Sequence, residues 1–133
     1  MPKSNSPLTQ GAKRAGPGEH VFDLAKLNHL RAGPDYSTSS GSVVEGDRMM
    51  VALMRMPAGT GADEHRHPSE QWIYILQGTL RGAIAGVEIE AKAGSAIFVP
   101  ANERHTLKAT AENDVVFFTV KDTSYSIHGI KSG

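Results

Sequence analysis

The chain has 133 residues, with 14 acidic and 14 basic side chains, and no cysteine. That length holds one domain with a single core, and the missing cysteines exclude a disulfide framework, a thiolate nucleophile and a thiolate-ligated zinc site. Zero formal charge without a basic block argues against nucleic acid and anionic membranes as partners. The apolar content of 39% is spread in short runs, none near the length of a membrane span. Met-Pro-Lys-Ser-Asn-Ser is followed by no apolar stretch, so the N-terminus does not read as a secretory signal; a cytoplasmic location is the expectation.

In chain order, residues 1–20 carry Pro2, Pro7 and Pro17 among glycines, lysines and serines, the composition of a flexible arm. Residues 21–133 are then the folded domain, with a core over residues 41–121. Val21 to Arg31 is the one segment with a helical pattern. Asp23 is a candidate cap, Leu24, Leu27 and Leu30 share a stripe, and Gly33-Pro34 ends it. So short a helix is marginal alone and must dock on something.

From Ser42 the pattern changes to strands: Ser42–Glu45, Arg48–Met56, Gln71–Gln77, Thr79–Ala85, Val87–Lys92, Ala96–Val99, His105–Thr110 and Asp114–Lys121. Short strands separated by Gly, Pro and Asn turns at this spacing indicate an all-β sandwich or barrel, here read as a jelly-roll barrel.

Two stretches carry the chemistry. Gly59–Gly78 (GTGADEHRHPSEQWIYILQG) places His65 and His67 two residues apart, with Gln71 four residues on. Side chains two apart on a strand share a face, so both imidazoles can converge. Gly94–His105 (GSAIFVPANERH) runs an apolar strand to Pro100, turns, and delivers His105. Three neutral imidazoles and one side-chain carbonyl oxygen suit a divalent transition metal with an open coordination position.

These stretches resemble the two motifs of the cupin superfamily. Gly59-x5-His65-x-His67-x3-Gln71-x6-Gly78 looks like the first, with Gln71 where Glu is usual. Gly94-x5-Pro100-x-Asn102-x2-His105 looks like the second, with Asn102 where Gly is usual and Ala109 at a position commonly Asn. The gap between them, Thr79 to Ala93, is short for the family. The resemblance implies a small metal-binding cupin with His65, His67, Gln71 and His105 around one divalent ion per chain, whether manganese, iron, nickel, zinc or copper.

Strand parity extends the site. With Gln71 pointing inward, Ile73 and Ile75 follow it, and Trp72, Tyr74 and Leu76 point outward as an apolar patch that needs cover. The Val21–Leu30 segment or a second copy of the chain could supply it; a homodimer is favoured, as the resemblance also implies. Met54, Met56, Ile73, Ile75, Phe98 and Phe117 are candidates for the apolar wall of a substrate pocket. Arg55 and Arg81 are candidates to clamp a substrate carboxylate, and Glu70 to orient a ligand imidazole.

A metal held by neutral donors keeps its Lewis acidity and can polarise a carbonyl or lower the pKa of a hydroxyl. Lyase or isomerase chemistry on a small oxygenated molecule is therefore the leading expectation. A dioxygenase acting on a small diketone or aromatic substrate is the alternative, and a non-enzymatic small-molecule-binding module the third reading. The HxH…EQ…Y.L.G run looks like small cupins that handle unsaturated sugar acids, and the donor set is similar to that of manganese hydroxynitrile lyases. Ile73 stands where certain cupin lyases carry a tyrosine base, which speaks against that mechanism.

Overall fold

The computed structural model describes residues 6–132. Twelve strands form, named here in order: β1 Lys13–Arg14, β2 Leu30–Arg31, β3 Ser40–Glu45, β4 Met49–Met56, β5 Gly61–Arg66, β6 Gln71–Gln77, β7 Thr79–Ile84, β8 Val87–Lys92, β9 Ala96–Val99, β10 His105–Ala109, β11 Val115–Asp122 and β12 Ile130–Lys131. One sheet has the order β1-β3-β4-β11-β6-β9 with β2 also on β3, and the other has the order β12-β5-β10-β7-β8. Every pairing is antiparallel except β1 with β3. The result is a two-sheet jelly roll.

Alternation of side chains builds the core. On β6, Gln71, Ile73 and Ile75 are buried while Trp72, Tyr74 and Leu76 face out. On β11, Val115, Phe117, Thr119 and Lys121 are buried at the same parity. These strands are paired, with Lys121 opposite Gln71 and Thr119 opposite Ile73. Met50, Met54, Ile75, Leu80, Val43, Val99 and Val115 are the largest fully buried apolar side chains. Each contributes about 1.5–3 kcal/mol on burial.

The expected N-terminal helix does not form; among the described residues there is none. Asp23 caps only a single turn, accepting from Ala25 N at 3.1 Å with its side chain and from Lys26 N at 3.1 Å with its carbonyl. Beyond it the chain is drawn into strand by the open edge of β3. Asn28 brackets Val43, donating from Nδ2 to its carbonyl (3.1 Å) and accepting its N–H at Oδ1 (3.0 Å), and Leu30–Arg31 pair with Ser40–Gly41. One marginal turn of helix loses to a ladder whose second strand is already in place.

The stretch with the composition of a flexible arm is docked from residue 6 onward; residues 1–5 lie outside the described residues. Leu8 N and Thr9 N donate to the two carboxylate oxygens of buried Glu45, at 2.6 and 2.9 Å. Lys13–Arg14 add a parallel pair to Val44–Glu45. The C-terminal segment returns across the mouth of the barrel. Ile127 is buried, its N–H reaching Thr9 Oγ1 at 2.9 Å, and Ile130–Lys131 pair with His65–Arg66.

Candidate metal centre

His65 and His105 face each other across the β5–β10 ladder, with ring centroids 4.2 Å apart. The β5–β10 register shifts between His105 and Leu107, so Ala62 and His65 both turn inward although three residues separate them. This is the local effect of a bulge. His67 stands just past the end of β5, edge-on to His105 at 4.8 Å. Asn102 N donates to His67 O at 2.8 Å, tying the turn that carries His105 to the segment that carries His67. Asn102 has φ 64, a left-handed conformation that asparagine tolerates better than most residues. Glycine and asparagine are interchangeable there for that reason.

The tautomer of each imidazole follows from its partner. His65 Nδ1 lies 2.8 Å from Asp63 O, His67 Nδ1 2.8 Å from Ser69 O, and His105 Nδ1 2.9 Å from Glu103 O. A backbone carbonyl only accepts, so each Nδ1 carries the proton and each Nε2 presents a lone pair. The ligating atoms of the three buried rings lie within 4.8 Å of one another.

Gln71 completes the set. Thr119 Oγ1 donates to Trp72 O at 2.8 Å, so it accepts from Gln71 Nε2, also at 2.8 Å. The amide is thereby oriented with Oε1 toward His67 Nε2, 3.0 Å away. Both of those atoms are acceptors. Two lone pairs held at that distance repel unless something positive sits between them. The separation is that of two neighbouring ligands at a right angle on an ion with bonds of about 2.1 Å.

Burial keeps the rings ready. It pushes the His65 imidazole down to about 4, with His105 adding to the effect, and the His67 imidazole down to about 3, with Lys121 and His105 contributing. His105 is also lowered, by burial first. All three are neutral at pH 7, as metal binding requires.

A cavity of about 60 Å³ opens onto the cluster, lined by His65, Gln71, His105, Thr119 and Lys121 on the polar side and by Met54, Met56, Ile73, Leu107 and Phe117 among its apolar walls. Four of the pocket candidates, Met54, Met56, Ile73 and Phe117, are thus brought together. Ile75 lies deeper in the core and is fully buried.

The other candidates are displaced. Arg55 is exposed and paired with Asp114 (Nε to Oδ2, 3.0 Å), and Arg81 is exposed and paired with Glu90 (2.7 Å). Both have outward parity, and a free guanidinium finds water and a carboxylate there more cheaply than a buried wall. Phe98 faces out beside Trp72, with ring centroids 4.9 Å apart. Glu70 is exposed and orients no imidazole, because backbone carbonyls accept all three Nδ1 protons. Glu103 does orient His105, through its main-chain oxygen rather than its carboxylate.

Sequence reasoning missed three groups. Tyr36 stacks on His65 with centroids 4.2 Å apart, and its hydroxyl is pushed up to about 12 by burial. Thr119 holds the Gln71 amide. Lys121, buried in the cavity, donates to Ile127 O at 2.7 Å. Parity along β11 carries the signal for the last two, since Val115, Phe117, Thr119 and Lys121 alternate inward.

The cupin domain family matches residues 52–121. The chain belongs to the cupin family. A curated relative, auxin-binding protein 1 of Arabidopsis thaliana, is 29% identical over 106 residues, covering 72% of this chain and 54% of the relative. The chain therefore spans about half the length of that relative. Among solved structures, a protein described as a predicted oxalate decarboxylase from Thermotoga maritima superposes with TM-score 0.65 at 20% identity, covering 77% of this chain and 98% of its own. The polyketide cyclase RemF of Streptomyces resistomycificus gives TM-score 0.66 at 19% identity, with coverage of 77% and 78%. At those identities the structural matches establish the cupin fold. Among the described residues, no helix is long and apolar enough to cross a membrane.

Proposed function

We propose that this cupin is a mononuclear metal-dependent enzyme of the lyase or isomerase type, acting on a small oxygenated organic molecule. The ligands are His65, His67, Gln71 and His105. The observation that carries the reading is the approach of His67 Nε2 and Gln71 Oε1, both acceptors, to 3.0 Å, each fixed by a partner on its far side.

A divalent ion bound there would supply Lewis acidity to a carbonyl or hydroxyl oxygen. The chain's own residues do the rest. The Asp63, Ser69 and Glu103 carbonyls fix the tautomers, Thr119 aims the amide oxygen, and Met54, Met56 and Phe117 form part of the apolar wall. The neutral amide in place of a carboxylate leaves the ion's full charge for the substrate. The cavity of about 60 Å³ suits a small molecule. The outward face of β6 serves a homodimer, and the cytoplasm is the proposed location.

Elemental analysis tests the ligand set. The purified protein should carry about one divalent transition ion per chain, and folded His67→Ala less than about a tenth of that. Full occupancy in His67→Ala would remove the set. Turnover that persists under argon fits Lewis-acid chemistry, whereas loss of turnover without dioxygen would move the protein to the dioxygenase reading. A metal-free protein that still binds small molecules would be a binding module.

A further inference from the structure

The cavity holds one charged side chain that the metal site does not use. Lys121 lies on β11 directly opposite Gln71 across the ladder, and is only 5% exposed. Directly opposed residues on one face have neighbouring side chains, and Lys121 shares the cavity lining with His65, Gln71 and His105. Its ammonium has three donors, and one of them is used, on Ile127 O at 2.7 Å. No carboxylate among the described residues pairs with it. Asp122, the next residue, turns outward to Ser124 and to Glu70 N (2.8 Å). Buried Glu45 is taken up by Leu8 N and Thr9 N.

A buried ammonium without a counter-charge is costly, and an anion that pairs with it favours the charged form. The cavity lining itself adds no negative charge, because the imidazoles and the Gln71 amide are neutral and Lys121 is the only charged residue of that lining; Asp122, next in the chain, acts on it only from outside the lining. With a divalent ion beside it, the cavity would hold positive charge alone. The partner that fits is an anion, and a carboxylate oxygen can accept from the N–H donors that Ile127 O leaves free.

We propose that Lys121 is the anion clamp of the cavity, and that the molecule taken is a small carboxylate. The clamp deepens the metal-enzyme reading by naming its substrate class, and rests on it for the chemistry but not for the binding.

Calorimetric titration of acetate and pyruvate, with acetamide as the neutral counterpart, tests it. The protein is used both as purified and after stripping with a chelator. Lys121→Gln keeps a donor for Ile127 O while removing the charge, and Lys121→Arg keeps the charge. The wild type should bind a carboxylate at least about tenfold more tightly than acetamide. Lys121→Gln should lose that preference while retaining its metal content, and Lys121→Arg should keep part of it. Equal binding of carboxylate and amide by the wild type, no carboxylate binding at all, or an undiminished preference in Lys121→Gln would overturn the clamp. The metal reading fails separately: a protein that carries no ion yet shows Lys121-dependent carboxylate binding keeps the clamp and loses the metal centre.

Discussion

At the scale of single residues, the site is built against stability. Burial holds His65 at about 4 and His67 at about 3, below the ordinary 6.5, and holds Lys121 at about 7, below the ordinary 10.5. All three are depressed, so the unfolded chain binds more protons than the folded chain inside each window, and stability rises with pH there. For the histidines the window runs from about 3 for His67 and about 4 for His65 up to 6.5; stability is present above it and is lost as acid enters. For Lys121 it runs from about 7 to 10.5. Metal-stripped protein should therefore show a denaturation midpoint that climbs from about pH 3 to 6.5, and climbs again above pH 7. Lys121→Met should flatten the upper climb alone and raise the midpoint at pH 7, because it removes a buried charge. An upper climb that survives in Lys121→Met, followed by chemical denaturation across pH, would assign it to another group.

At the scale of elements, the legible part of the fold was whatever parity and turn chemistry encode locally. The ends of β6, β8 and β9 lie where the alternation and the flanking turn residues put them, and the inward set Gln71, Ile73 and Ile75 follows from the same alternation. What was not legible depends on distant partners. The Val21–Arg31 pattern has helical leucines, but Asn28 and Leu30 answer to Val43 and Gly41, which no local window contains. Lys13 and Arg14 meet Val44 and Glu45 in the same way. Arg55 and Arg81 are clamp candidates on residue type and strand placement alone; their actual partners, Asp114 and Glu90, sit on neighbouring chain segments at the surface. Turn chemistry also gives a stability test. The chain passes from β6 to β7, and so between sheets, through Gly78 alone, with φ 86 and Asp114 O 2.5 Å from where a Cβ would sit. Gly94 has φ 92 but open space around it. Gly94→Ala should cost about 1–2 kcal/mol, the left-handed strain alone. Gly78→Ala should cost about 1–3 kcal/mol beyond that for the overlap. Equal losses in urea denaturation would mean that the overlap at Gly78 relaxes freely.

At the scale of the whole molecule, the sheet face opposite the cavity is the unsolved surface. Trp72, Tyr74, Leu76 and Phe98 are 48%, 45%, 51% and 41% exposed, and Val116, Phe118 and Val120 of neighbouring β11 are half-buried at the same parity. The Val21–Leu30 segment does not cover them. It runs along β3, with β4 and β11 between it and β6. In the proposed homodimer this contiguous apolar face is the contact, and a two-fold axis through it would place Trp72 against its own copy's face. Each substitution there enters the contact twice. Trp72→Glu should therefore cost about 4 kcal/mol of association, roughly a thousandfold in Kd. Light scattering coupled to size exclusion should show a dimer for the wild type and a monomer for Trp72→Glu. The variant should keep its metal content, because outward parity separates Trp72 from the His65, His67 and His105 cluster on the inner face. A dimer that persists in Trp72→Glu would move the contact to another face. A monomer that also loses its metal would mean that the second copy braces β6, and with it Gln71.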